Sequence, residues 1–312
     1  MEQKVFPVNR WQIRSAHKIR RFLTQHPFKG SARLIALFNK LLIPVPQEGP
    51  ILAPTNYGFD IIVDPVKDKV LEGAIYYYGT YEAGTLEVLQ KSLQAGHVFF
   101  DVGSNIGFMS LFASRLIGKS GSVYSFEPEP ETFAILKENV RLNKLNNIYL
   151  FDMALGSEKK EVFIYRDLKT DRGKASLIRP EQGDVRPSRV PLRTLDDFIA
   201  QNRISRIDMI KIDVEGWEME VLRGAKKILG HPQAPMVCIE YSHRHPVYSA
   251  EPLDIYRYIL SLNGYRIYKL QEGKERISRL EEIHEVTQLP VHDNLFCFLP
   301  KHLGILPKDL FA

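Results

Sequence analysis

VFFDVGSNIGFMSLFAS, residues 98–114, decides how the rest of the chain is read. It opens as an apolar run of strand length and closes as an apolar run of helical character. Between them lies DVGSNIG, Asp101 to Gly107. Gly103 and Gly107 allow a tight turn and a close backbone approach to a ligand, and the helix that follows offers free N–H groups to a polar ligand group. Glycine spacing alone is a weak signal, since nicotinamide enzymes use similar turns. Two details narrow it: the loop is G-x-N-x-G and not G-x-G-x-x-G, and an aspartate stands at the strand end. A carboxylate there repels a dinucleotide pyrophosphate but suits a cationic ligand, such as a sulfonium carrying an amino group. The next apolar strand ends in Glu127-Pro128, where an acidic side chain can accept both hydroxyl hydrogens of a ribose. A third ends in Phe151-Asp152-Met153-Ala154, which places Asp152 to accept a hydrogen bond from an adenine amino group.

Outward from this segment, strands and helices alternate. Strand 97–102, helix 107–116, strand 122–126, helix 130–142 and strand 147–152 are followed by an irregular stretch, 153–193. Helix 195–201, strand 207–213, helix 217–229, strand 235–241, helix 251–263, strand 265–270 and strand 294–299 complete the pattern. Runs such as VFFDV and DMIKID are nearly continuous in apolar residues, as strands of a parallel sheet covered on both faces are. Such alternation predicts a doubly wound α/β sheet with its site at the carboxyl ends of the strands. Upstream, 51–64 reads as a hairpin, 73–82 (GAIYYYGTYE) as a tyrosine-rich, strand-like stretch with at least one core tyrosine, and 83–94 as a helix.

The 312 residues, 44% hydrophobic and 25% charged, have room for one large α/β domain or two ordinary ones. No apolar run approaches the roughly 18 residues of a membrane span, and MEQKVFPVNRWQIR lacks the apolar core of a signal peptide. The expected location is cytoplasmic. Cys238 and Cys297 lie in separate apolar runs and read as small core residues, with a disulfide between neighbouring strands left open. The net charge of +5 is uneven: residues 1–50 hold nine Lys and Arg against two acids, +7, so residues 51–312 sum to −2. The basic segment contains two amphipathic helical patterns, 10–25 and 31–42. They read either as a surface for an anionic membrane or glycan, peripheral at the inner membrane face, or as a helical pair packed on the core with solvated charges. The core has no basic stripe with interleaved aromatics, so nucleic acid is not an expected partner.

DVGSNIGFMSLFAS, VYSFEPEPETFAILKENVRLN, TLDDF and DMIKIDVEGWEMEVLRGA, in that order, resemble the FkbM family of S-adenosylmethionine-dependent methyltransferases. GTYE at 79–82 resembles the family's glycine–tyrosine–glutamate element, and GKASL at 173–177 its small-residue–serine–leucine stretch. The resemblance runs over residues 75–240 or so. It implies a Rossmann-like class I methyltransferase fold: a mostly parallel seven-stranded sheet, last strand antiparallel, with helices on both faces. Here that domain would span 73–312, after a basic helical and hairpin extension at 1–72. It also implies S-adenosylmethionine as cofactor and O-methylation of a sugar or polyketide hydroxyl. By matching position, Asp101, Gly103, Asn105 and Gly107 would surround the methionine part, Glu127 would hold the ribose, and Asp152 with Met153 would border the adenine. Glu82, Ser104, Pro128, Ala154 and Asp213 complete the candidate cofactor set.

Methyl transfer needs a base or positioning group at a strand end facing the methyl. Lys211, Asp213 and Glu215 share one parity along KIDVEG, and Asp213 at the strand's end is the first candidate. Glu215 could instead cap the next helix, and Lys211 could pair with a buried acid. The following strand brings Glu240, His243 and His245 to the same sheet edge, His243 being the second base candidate. Asp213 and Glu240 could offer oxygens to Mg²⁺, but two ligands are too few and no metal is assigned. The expected function is O-methylation of a saccharide or other hydroxylated natural product. A non-catalytic cofactor-binding scaffold and a nicotinamide oxidoreductase are the alternatives. Loops 55–82, 166–190 and 242–252 would select the acceptor, whose identity and the protein's oligomeric state are not legible.

Overall fold

The computed structural model describes residues 8–26, 28–167, 175–179, 184–243 and 251–312. Helices α1 (Arg10–Gln25) and α2 (Ser31–Leu42) come first, α1 beginning where the Asn9 side chain accepts the Gln12 N–H. A hairpin follows, β1 (Ile51–Pro54) with β2 (Asp60–Val63), then α3 (Leu71–Tyr78) and α4 (Ala83–Ser92). The alternating segment comprises β3 (Val98–Val102), α5 (Phe108–Ile117), β4 (Ser122–Phe126), α6 (Pro130–Leu142) and β5 (Ile148–Phe151). Next come β6 (Ala154–Leu155), β7 (Lys160–Asp167), β8 (Val185–Arg193), α7 (Leu195–Gln201) and β9 (Met209–Ile212). The remainder holds α8 (Glu218–Gly224), α9 (Lys226–Leu229), β10 (Met236–Ser242), α10 (Pro252–Ser261), β11 (Arg266–Leu270), β12 (Leu280–Glu282) and β13 (His292–Phe298).

The main sheet runs in the order β12-β11-β13-β10-β9-β3-β4-β5. From β10 to β5 all neighbours are parallel, and β13 lies antiparallel between β10 and β11. This is the expected doubly wound class I methyltransferase sheet, widened at one edge by the short β12. The chain builds outward from β3 to β5 and then returns to β9 on the other side of β3. The crevice at the carboxyl ends of β3 and β9 is therefore the topological switch point, where such sheets hold their ligands.

Side-chain alternation divides the sheet into two faces. Phe100, Val102, Ile210, Ile212, Ile239 and Tyr241 enter one core. Phe99, Met209, Met236 and Cys238 enter the other, together with Ile13 and Ala16 of α1 and Ile51, Ala53 and Ile61 of the hairpin. Residues 8–72 thus contribute to the same core as the sheet. Asn139 of α6 fastens the hairpin, accepting the Ile62 N–H at 2.7 Å and donating to the Ile106 carbonyl at 2.9 Å. Cys238 and Cys297 are free, buried thiols.

Three expectations fail. The tyrosine-rich stretch is helix, not strand: α3 buries Glu72, Ile75 and Tyr76 along one side, leaves Tyr78 exposed, and stops at Gly79 with φ +69°. Tertiary burial overrides the strand preference of Ile and Tyr. The stretch 153–193 is not irregular. Its described residues form a second sheet, β6-β8-β7, that buries Ile164, Val190 and Leu192. Finally, helix 217–229 is interrupted at Ala225, just after Gly224, where the chain at Gly156 passes so close that a Cβ on Gly224 would stand 1.8 Å from the Gly156 carbonyl oxygen.

Candidate active site

The loop after β3 is held by backbone geometry. Gly103 and Ser104 both donate their N–H to the Phe126 carbonyl at the end of β4, at 3.0 and 2.9 Å. Gly103 has φ +83°, and a Cβ there would lie 1.8 Å from the Asp213 carbonyl oxygen. Only glycine lets the two strand ends meet this closely. Gly107, at φ +93°, turns the chain into α5 against Leu136. Glu127 accepts the N–H groups of Asn105 and Glu129, each at 2.9 Å, so it braces the loop from the next strand. Burial pushes its carboxyl up to about 8, against those two hydrogen bonds.

A cleft of about 1190 Å³, open to solvent, lies above this loop. Asp101, Gly103, Ser104 and Asn105 line it from β3, Glu127 and Pro128 from β4, and Met153 and Ala154 from the end of β5. Phe126, Leu155, Ile164 and Trp217 add apolar walls. Asp101 is almost wholly buried, with Oδ2 bonded to the Ser110 hydroxyl and Oδ1 left without a hydrogen-bond partner. Its pKa is raised by burial, an effect that Lys211 opposes. A polar-walled cradle with an apolar slot and an orphaned carboxylate oxygen fits an amino-acid–nucleoside ligand.

The far side of the cleft is electrostatic. Asp101 of β3, Lys211 of β9, Glu240 of β10 and Asn294 of β13 occupy the same face of four adjacent strands, Asp101 opposite Lys211 and Glu240 opposite Asn294. The apolar layer below them thus gives way to a polar row at the carboxyl edge. Lys211 Nζ meets Asp213 Oδ2 at 2.6 Å. Lys274, from the turn between β11 and β12, lies 3.0 Å from Glu82 and 2.9 Å from Glu240. Asn294 donates to Glu82 and contacts Thr85. Asp213, Glu215 and Glu240 each bring one oxygen within 4.8 Å of the others. Three oxygens at that spacing could contact a hard divalent cation, but Lys211 and Lys274 already pair with two of the three.

Charge balance sets the protonation states. Burial works against the Asp213 carboxylate, but Lys211 and Lys274 outweigh it and hold the pKa below its ordinary value. Burial and the Asp213 charge push Glu240 up to about 8, with Lys274 opposing. Burial, Glu240 and Asp213 push Glu215 up as well. The two lysines are held charged: the acids around them overcome the cost of burial. Such opposed shifts on neighbouring carboxyls mark sites of proton transfer.

The fold brings Asp101, Gly103, Ser104, Asn105, Glu127, Pro128, Met153, Ala154, Asp213 and Glu240 to one cleft. Four candidates fall outside its lining. Asp152 is exposed just past β5, its neighbours Met153 and Ala154 facing the cleft instead. Gly107 shapes the turn without facing the cleft. Glu82 is wholly buried between Lys274 and Asn294. His243 shares parity with Tyr241, whose hydroxyl it meets at 2.9 Å, and so belongs to the opposite face from Glu240; it does not stand as a base candidate. His245 and much of loops 166–190 and 242–252 lie outside the described residues. The N-cap of α8 is Trp217, without a side-chain cap bond, and Glu218 accepts the N–H groups of Val214 and Gly216. Tyr81, of the GTYE element and one of the tyrosines the sequence offers for stacking on a sugar ring, lines the cleft; sequence reasoning missed Lys274 and Asn294. Asn294 was detectable as a polar residue inside the apolar run NLFCFL, whereas Lys274 sits in a turn that no periodicity marks.

The sequence matches the methyltransferase FkbM domain over residues 101–267, more than half of the chain. The chain belongs to the FkbM methyltransferase family. Its members use S-adenosylmethionine, which removes the nicotinamide alternative. Methyltransferase 1 of Beauveria bassiana is 28% identical over 141 residues, covering 40% of this chain and 56% of that protein. The 31-O-demethyl-FK506 methyltransferase FkbM of Streptomyces tacrolimicus is 30% identical over 160 residues, 43% of this chain and 61% of that one. The 2-O-methyltransferase NoeI of Sinorhizobium fredii is 29% identical over 158 residues, 46% and 63%. The chain spans less than two thirds of each of these relatives. Among solved structures, the methyltransferase FkbM of Methylobacillus flagellatus aligns over 95% of this chain and 83% of its own, at 15% identity and a TM-score of 0.42.

Proposed function

We propose that this protein transfers a methyl group from S-adenosylmethionine to a hydroxyl of a saccharide or another hydroxylated natural product. The observation that carries the reading is the carboxylate group formed by Asp213, Glu215 and Glu240 across the cleft from the Gly103 loop. Two similar proteins are named a 31-O-demethyl-FK506 methyltransferase and a 2-O-methyltransferase, which agrees with it. When bound, the cofactor supplies an electrophilic methyl on a sulfonium. Asp101 would accept the hydrogen bonds of its amino group and Glu127 those of its ribose. Asp213, ionised beside Lys211, would orient the acceptor hydroxyl. Glu240, poised near neutral pH, would take the proton as the acceptor oxygen bonds to the methyl and the carbon–sulfur bond breaks.

The test is transfer of isotope-labelled methyl from the cofactor to a panel of sugars, glycosides and polyketides. A labelled product stable to mild alkali is an ether and supports the proposal. An alkali-labile product is an ester and would move the acceptor to a carboxylate, as the name of the similar hexuronic acid methyltransferase AglP of Haloferax volcanii suggests for that protein. Cofactor binding without transfer to any acceptor would favour the non-catalytic scaffold.

A further inference from the structure

The N-terminal helical pair leaves a surface that neither the core nor the cleft uses. Among the described residues, sixteen bulky apolar side chains are exposed, and six of them fall between residues 11 and 45: Trp11, Phe22, Phe28, Leu37, Leu41 and Val45. Trp11 is 73% exposed, Leu41 67% and Val45 89%. On α1, helical spacing puts Trp11, Lys18 and Phe22 on one stripe, opposite the buried Ile13, Ala16 and His17. In α2, eight of twelve residues are Ala, Leu, Ile or Phe, yet Ser31 is its only buried residue. Arg33, Leu37, Lys40 and Leu41 form its open side. Residues 10–42 hold eight Lys and Arg and no Asp or Glu. Arg10 and Arg14 are spent on Asp60, and Arg20 stacks over Tyr78. Lys18, Arg21, Lys29, Arg33 and Lys40 are exposed and make no salt bridge among the described residues.

We propose that this face docks on an anionic lipid bilayer. Aromatic and aliphatic side chains interleaved with unpaired cations match the apolar boundary and the negative headgroups of such a surface. A second copy would set the same cations against each other, and Leu37, Leu41 and Val45 offer nothing to nucleic-acid bases. No helix among the described residues is long and apolar enough to cross a membrane, so the contact is interfacial. His17 of α1 meets the Tyr76 carbonyl of α3 at 3.0 Å, and Leu71 in the first turn of α3 lines the cleft. The docking face is thus one helix away from the cleft. The inference rests on the surface alone and stands whether or not the methyl acceptor is lipid-linked.

Deleting α1 would strip Ile13 and Ala16 from the core, so the test uses the full chain with exposed positions changed. The protein is pelleted with phosphatidylcholine vesicles and with vesicles that also contain phosphatidylglycerol. Binding to the mixed vesicles alone, weakened by added salt, is expected. Lys18→Gln and Lys40→Gln should each weaken it by about fivefold, and the pair Leu37→Gln/Leu41→Gln should abolish it, with unchanged unfolding midpoints. Should a variant unfold, the lipid-charge and salt dependence of the unaltered chain decides. Equal binding to neutral vesicles, or none at low salt, overturns the proposal. So does tighter binding to an RNA oligomer, or a dimer in light scattering that the leucine pair dissolves.

Discussion

The two sides of the cleft are built by different physics. On the loop side, Gly103, Gly107 and the paired N–H groups on Phe126 fix the backbone by steric fit. On the carboxylate side, backbone shape matters less. There, Asp213, Glu215, Glu240 and the buried Glu82 hold together because Lys211 and Lys274 are placed between them. The first side should fail when volume is added, the second when charge is removed.

The largest effect is expected on the carboxylate side. Lys274→Met leaves Glu82 and Glu240 buried without their cation and should cost about 3–5 kcal/mol of stability, measured by denaturant unfolding. Gly103→Ala adds a Cβ in collision with the Asp213 carbonyl. It should cost about 3 kcal/mol, left-handed strain and overpacking together, and abolish cofactor binding by calorimetry. If Gly103→Ala binds normally, the steric account of the loop side is wrong.

Glu240→Gln keeps the shape and removes the proton acceptor. A fall of about a hundredfold or more in kcat with little change in cofactor affinity is expected. In the unaltered protein, kcat/KM should climb with pH through about 8 as Glu240 ionises; a flat profile would remove it as the base. Glu127 offers a subtler measurement. Its folded-state pKa of about 8 exceeds the ordinary 4.5, so the native state keeps a proton that the unfolded chain has lost. The contribution is fully present below about pH 4.5 and is lost as pH rises through 8, which Glu127→Gln should flatten in thermal unfolding across that window. The smallest effect belongs to His243→Ala, on the opposite face of the sheet. Stability should shift by about 0.5 kcal/mol or less and turnover should not change.

How much of this was legible follows the same division. The loop side is written in local patterns: an apolar strand, two glycines, an apolar helix, and an acid at the end of the next strand. Periodicity and turn chemistry recover such features. The carboxylate side depends on which strands become neighbours. Strand parity alone put Lys211 and Asp213 on one face, but only the pairing of β10 with β13 brings Asn294 beside Glu240. Lys274 reaches them across the turn after β11, and no spacing in QEGKE announces it. Where the reading failed outright, composition misled it. Prolines and arginines in VRPSRVPLR hid the alternation that buries Val190 and Leu192 in β8. In α3, the strand preference of Ile75 and the tyrosines lost to the side of the helix that needed covering.

The contact between Gly103 and the Asp213 carbonyl has a consequence for redesign. It is a joint with no slack, so the Gly103 loop and Asp213, the residue proposed to orient the acceptor hydroxyl, move as a single rigid piece. Substitutions that reshape residues 213–216 to admit a new acceptor would displace the cofactor loop as well. Acceptor preference is better altered from Tyr81, Ala175 and Leu177, which border the cleft without bearing on that joint.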